Sequence, residues 1–159
     1  MARSAELPAL DATDRRLLRV LQEDGRITNQ ALAQACGLSP AACFDRVKRL
    51  RAAGVIAGYT ALLDPAKLDA ALLVFIEVLL DRTTDDVFEA FAEHVRLLPE
   101  VQECHMVAGG FDYLLKVRVA DMPAYRQFLG HRLSAMPGVR ETRTYPVLEE
   151  VKRTTVLPV

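Results

Sequence analysis

Four cations crowd into six residues, Arg46, Lys48, Arg49 and Arg51, within the stretch AACFDRVKRLRA. Such a cluster on one helix has two uses against a nucleic acid. A guanidinium can donate to guanine O6 and N7, and any cation can meet a phosphate. The spacing assigns Arg46 to a guanine edge, Asp45 to cytosine N4, and Lys48, Arg49 and Arg51 to phosphates. Small residues just upstream, Ser39, Ala41 and Ala42, would let the backbone approach base edges closely. On a helical wheel Cys43, Val47 and Leu50 share one arc, which packs inward. Ala42, Asp45, Arg46 and Arg49 take the opposite one.

The other chemically active residues offer less. Glu103, Cys104 and His105 are consecutive, but neighbours on a strand point to opposite faces, so Cys104 and His105 cannot share a proton or a metal. His94 and His131 fall on separate helices, away from metal-ligand spacing. Cys36 and Cys43 occupy core-facing helix positions, as small hydrophobes. The expectation is a protein with no catalytic residues, no metal and no cofactor. Three cysteines, neither paired in number nor in a C-x-x-C arrangement, suit a reduced, cytoplasmic setting. No apolar run is long enough to span a membrane.

The elements that position the cations follow from local patterns. Asp11 starts a helix that runs to about Glu23, with Leu17, Leu18 and Leu21 as its buried stripe. Thr28 caps a second helix through Cys36, with Ala31, Leu32 and Ala35 inward and Gly37 at the left-handed end. Ser39 caps the cation-bearing third helix, Pro40 takes its first position, and Gly54 closes it. Val55 to Leu63 reads as an extended segment turning at Asp64-Pro65. Two short helices about a glycine turn, the second basic, form a helix-turn-helix suited to the major groove.

Downstream the pattern changes. Strands are expected at residues 71–80, Val101 to Ala108, Phe111 to Val119 and Val139 to Val147. Helices are expected from Asp85 to Leu97 and from Asp121 to about Met136, and Gly109-Gly110 marks a hairpin. The order β-α-β-β-α-β is ferredoxin-like, so the chain is α+β. The first strand is apolar at both parities: Leu73, Phe75 and Leu79 on one side, Leu72, Val74, Ile76 and Val78 on the other. Two helices cover one sheet face, so the other calls for a second copy and predicts a homodimer. Three regions result: a helix-turn-helix domain over 1–60, a hinge over 61–70 and a ferredoxin-like domain over 71–159. The first 60 residues hold nine Lys/Arg against six Asp/Glu, whereas the rest hold eleven against fifteen, which fits a polyanion-binding head on an acidic body.

Taken together, GLSPAACFDRVKRLRAAGVIAGYTALLDP, LLVFIEV, VQECHMVAGGFDYLLKVRV, DMPAYRQFLG, PGVRETRTY and EEVK resemble the Lrp/AsnC family of transcriptional regulators, over roughly residues 10–153. The resemblance implies a winged helix-turn-helix that binds double-stranded DNA at an inverted-repeat operator, with Thr28 and Asn29 joining the third-helix residues at the DNA. It implies dimers that assemble to a tetramer, octamer or larger. It also implies an amino-acid effector, leucine or another aliphatic amino acid. Carried over, the effector pocket lies between dimers and is Met106, Gly109, Gly110 and Asp112 facing Thr142 and Thr144, with Met122 in the apolar wall. Asp112 would receive the ammonium, and backbone N–H groups and hydroxyls the carboxylate. The rival reading is an amino-acid-binding regulatory module without a direct DNA role.

Overall fold

A computed structural model describes residues 9–159, in two compact units. The first is helical. Its helix α1 (Ala12–Glu23) opens on a reciprocal cap: Asp11 accepts from Asp14 N at 2.7 Å, and Asp14 accepts from Asp11 N at 3.3 Å. Thr28 caps α2 (Asn29–Cys36), which ends at Gly37 with φ 69°, a conformation glycine adopts without strain. Ser39 caps α3 (Pro40–Ala52) by accepting from Ala42 N at 3.2 Å. Leu17, Leu32, Ala33, Cys36 and Cys43 form the shared core.

Two local expectations are corrected in this unit. The inner face of α2 is Leu32, Ala33 and Cys36, and both Ala31 and Ala35 are exposed. Leu32 and Cys36, four apart, set the buried line, and the two alanines fall beside it. Val55 to Leu63 forms no strand among the described residues. Val55 N and Ile56 N instead both donate to Leu50 O, closing α3. The C-terminal stretch Arg153–Val159, which follows the second unit in sequence, packs with the first. There the Gln22 side-chain amide exchanges two bonds with the Leu157 backbone, at 3.1 and 2.7 Å, as a neighbouring strand would.

The second unit spans Leu63–Lys152. A short 3-10 turn, Pro65–Lys67, capped by Asp64, lies where the hinge was expected. The sheet then comprises β1 (Leu72–Leu80), β2 (Val101–Met106), β3 (Tyr113–Val119) and β4 (Val139–Pro146), in the order β2-β3-β1-β4 and antiparallel throughout. With α4 (Asp85–Arg96) after β1 and α5 (Met122–Phe128) after β3, this is the expected ferredoxin-like arrangement. Helix α5 passes at Leu129 into a π-type turn through Leu133, rather than running on to Met136.

The core lies on one sheet face. Val74, Ile76 and Val78 of β1 are wholly buried there with Leu115, Val117, Phe91 and Leu133. On the opposite face β1 presents Leu73, Phe75 and Leu79 around Glu77. Charged residues flank that stripe: Lys116 meets Glu103 at 2.7 Å, and Arg143 meets Glu141 at 3.0 Å. The second apolar side of β1 is therefore a stripe with a polar border rather than a full apolar layer.

Candidate nucleic-acid interface and ligand turn

Cys43 and Leu50, at 0% and 2% exposure, define the inward direction of α3. At about 100° per residue, Arg46 lies only about 60° from Cys43, and Phe44, Ala41, Asp45 and Lys48 lie about 100° or more away. The exposed side of α3 therefore carries Ala41, Phe44, Asp45, Lys48 and Arg49, with Ala42 half-buried at its edge and Arg51 exposed near the helix end. Ser39, Thr28 and Asn29 are exposed at the two helix starts. Asn29 Nδ2 donates to Pro40 O at 2.8 Å and so fixes the start of α2 against the start of α3.

Arg46 departs from the expected geometry. Its Nη1 lies 2.6 Å from Asp11 Oδ2 and 2.9 Å from Asp14 Oδ1, so it turns toward α1 rather than outward. Arg49 Nη2 lies 2.7 and 2.6 Å from the two Asp14 oxygens. Asp14 itself has no exposed surface. Burial raises its carboxyl pKa, but the bonds from Arg49 and Arg46 outweigh burial and hold it below the usual range. Asp11 is also held low, by the Asp14 backbone N–H first and then by Arg46. The wheel placed Arg46 outward because it carried no information about a buried carboxylate on another helix. The D-x-x-D start of α1 was readable as a cap, but its second role as an anchor for α3 was not. Phe44, to which the pattern gave no role, is 58% exposed.

The expected effector residues divide by position. Met106 ends β2 opposite Tyr113, and Val107 N donates to Asp112 O at 3.0 Å, closing a loop around Gly109 and Gly110. That loop is longer than the two-residue hairpin the glycine pair suggested. Neither glycine has positive φ or a close neighbour at its Cα, so neither is required by a tight turn. Asp112 Oδ2 accepts from Leu80 N at 2.7 Å and Asp112 N donates to Val78 O at 3.0 Å, so this side chain ties the loop to the end of β1.

Thr142 pairs with Val78, at the level of the loop but on the far side of β1. Thr144 pairs with Ile76 and shares a hydrogen bond with the Tyr125 hydroxyl. Met122 begins α5 beyond Val119, six residue steps or roughly 20 Å from Tyr113 along β3. Within one chain, then, Met106, Gly109, Gly110 and Asp112 come together, Thr142 is near, and Thr144 and Met122 are not brought to the loop.

Cys104 and His105 do point to opposite faces. Cys104 packs against the core, and burial pushes its thiol up to about 11, which leaves almost no thiolate nucleophile near neutrality. His105 Nε2 faces Glu103 at 3.2 Å on the other side.

Comparison with known proteins joins these two parts. Residues 10–57 match a winged helix-turn-helix DNA-binding model, and residues 73–157 match the Lrp/AsnC ligand binding domain. The chain is 57% identical over 148 residues to the leucine-responsive regulatory proteins of Klebsiella pneumoniae and Escherichia coli K12, covering 93% of this chain and 90% of each relative. Among solved structures, a Neisseria meningitidis transcriptional regulator in complex with L-methionine superposes with TM-score 0.90 at 42% identity, over 94% of this chain and 97% of that one. An AsnC family regulator from Agrobacterium tumefaciens also gives 0.90, at 36% identity and the same coverage. Escherichia coli AsnC gives 0.86 at 27% identity, over 94% of this chain and 99% of that one. A capped, cation-bearing α3 beside α2, followed by a ferredoxin-like sheet with this loop, thus places the chain in the Lrp/AsnC family of DNA-binding transcriptional regulators.

Proposed function

We propose that α3 enters the DNA major groove and that an amino acid, bound at the Asp112 loop, sets the affinity or assembly of the DNA-bound form. In this reading Ala41, Ala42, Asp45 and Lys48 face base edges and phosphates, and Thr28, Asn29 and Ser39 face the backbone near the helix starts. Arg46 and Arg49 each keep one Nη on the carboxylates of α1 and its cap and can offer their remaining donors to phosphate. The observation that carries the reading is the division of α3 into two sides. Its inner side is anchored by the buried Asp14, and its outer side is left uncovered with a free Lys48.

The effector is an aliphatic amino acid, leucine or methionine. Its ammonium sits on Asp112, its carboxylate on N–H groups of the Gly109–Gly110 loop, and its side chain against Met106, which is 58% exposed. Leucine-responsive relatives, and a structural relative in complex with L-methionine, support that class. Thr142 lies near enough to contribute, and Met122 could reach the loop only from another copy of the chain. The stripe of Phe75 and Leu79, beside the already buried Leu73, serves as the homodimer contact, and dimers associate further to a tetramer, octamer or larger. Paired α3 helices then read an inverted repeat with half-sites about one helical turn or a multiple apart, roughly 34 Å per turn. No helix is long and apolar enough to cross a membrane among the described residues, and a cytoplasmic location fits a DNA-binding regulator.

The test is fluorescence anisotropy of a selected duplex, with leucine or methionine titrated in. A shift in apparent Kd with either amino acid, and none with glutamate, is expected. An affinity indifferent to all amino acids would remove the effector reading.

A further inference from the structure

We infer that Phe44 is a sequence-reading residue of this protein and that its ring packs on the C5-methyl group of a thymine. The inference rests on the reading of α3 as the groove-entering helix and specifies what that helix recognises. Phe44 stands 58% exposed in the middle of α3. It shares the uncovered side with Ala41, Asp45 and Lys48 and points away from Cys43 and Leu50. A lone exposed apolar side chain is ordinary on a protein surface. This one, however, lies on the helix face that the reading brings to DNA.

The alternatives on the same helix are committed elsewhere. Arg46, the guanidinium that would otherwise read guanine, is held by Asp11 and Asp14, Arg49 is held by Asp14, and the exposed Arg51 near the end of the helix is left for a phosphate. What remains outward is an apolar patch, Ala41 and Phe44, beside a carboxylate and an ammonium. Among base edges in the major groove the thymine methyl is the apolar feature, and a phenyl ring or alanine methyl is its complement. The chain therefore prefers a thymine within each half-site by apolar contact, and the Arg46–Asp14 contact serves to orient α3 rather than to read a base.

The experiment selects preferred duplexes with the full-length chain, then replaces each thymine in turn by deoxyuridine, which removes only the methyl. For the wild type, one position per half-site should weaken binding roughly fourfold, the loss expected for one methyl-sized group left unburied. Phe44→Ala should be indifferent to deoxyuridine at that position, and Phe44→Leu should keep the penalty. Wild-type binding indifferent to every replacement would overturn the inference while leaving DNA binding intact. Phe44→Ala retaining the full penalty would also overturn it. So would a fall in the particle mass of Phe44→Ala by light scattering with the penalty kept, since that places the ring at a protein contact. Failure to select any preferred sequence would instead overturn the groove-binding reading, and the inference with it.

Discussion

Removing the two guanidinium groups around Asp14 should destabilise the helix-turn-helix unit more than removing the charge of Asp14 itself. Asp14 has no exposed surface, whereas the side chains of Arg46 and Arg49 are 32% and 56% exposed. In Asp14→Asn Arg49 returns to water while Arg46 keeps Asp11, and the loss is about 1–2 kcal/mol, the net of a few charge-assisted bonds against re-solvation. In Arg46→Met with Arg49→Met a buried carboxylate keeps only the Asp11 N–H, at 3.3 Å. Stranding one partner of a buried pair costs about 3–5 kcal/mol.

Hydrogen exchange of the α1–α3 amides measures the difference locally, with about 1.4 kcal/mol per tenfold in rate. Exchange should quicken about tenfold in Asp14→Asn and several-hundredfold or more in the double variant. The pH dependence should also reverse. In the wild type the Asp14 pKa is depressed, so its contribution is present above the ordinary carboxylate range and fades as pH falls through the depressed value. In the double variant burial is opposed only by the long Asp11 N–H bond and raises that pKa, so the variant regains stability on acidification and loses it as pH rises. An Asp14→Asn variant at least as damaged as the double one would refute the reasoning, as would a double-variant deficit that does not shrink from about pH 7 to pH 5.

Other outcomes follow from single contacts. Asp112→Asn keeps an oxygen for Leu80 N, so stability should change by about 1 kcal/mol or less, while calorimetry should show leucine or methionine affinity falling at least about tenfold; unchanged affinity would exclude Asp112 as the ammonium partner. Gly138→Ala forces φ 84° on alanine and sets its Cβ 3.1 Å from Val87 Cγ1, so it should cost about 2 kcal/mol in thermal unfolding. Gly37→Ala meets open space at φ 69° and should cost about 1 kcal/mol, and the reverse order would contradict the steric account. Cys104 should react with a thiol reagent at about pH 8 at least a hundredfold more slowly than a free thiol, because its pKa of about 11 leaves little thiolate; rapid labelling of the folded chain would show that burial at β2 is not maintained.

Much of the architecture was legible because it rests on local physics. Thr28, Gly37, Ser39 and Pro40 mark helix boundaries through backbone bonds that each residue type makes with its own neighbours, and these fell where the pattern put them. The alternation in β1 likewise identified Val74, Ile76 and Val78 as one buried set. What failed was non-local. The orientation of Arg46 depends on Asp14, 32 residues earlier, and no periodicity within α3 contains that partner. Gly109-Gly110 suggested a tight turn, but Asp112 bonding across to Leu80 holds a wider loop. The extension expected after Val55 lacks a strand to pair with among the described residues, and Leu50 O takes its first two N–H groups instead. Met122 and Thr144, which the family resemblance carries to a pocket between dimers, lie away from the loop within one chain and would join it only from another copy.

The central claim is that α3 reads DNA sequence, and the affinity ratio between two duplexes tests it most directly. Anisotropy titrations of the full chain should compare a selected duplex with a scrambled one of equal length, across a salt series. The selected duplex should bind about a thousandfold tighter or more, and log K for both should fall linearly with log salt as counterions are released. Equal affinity for the two duplexes at every salt concentration would contradict the account.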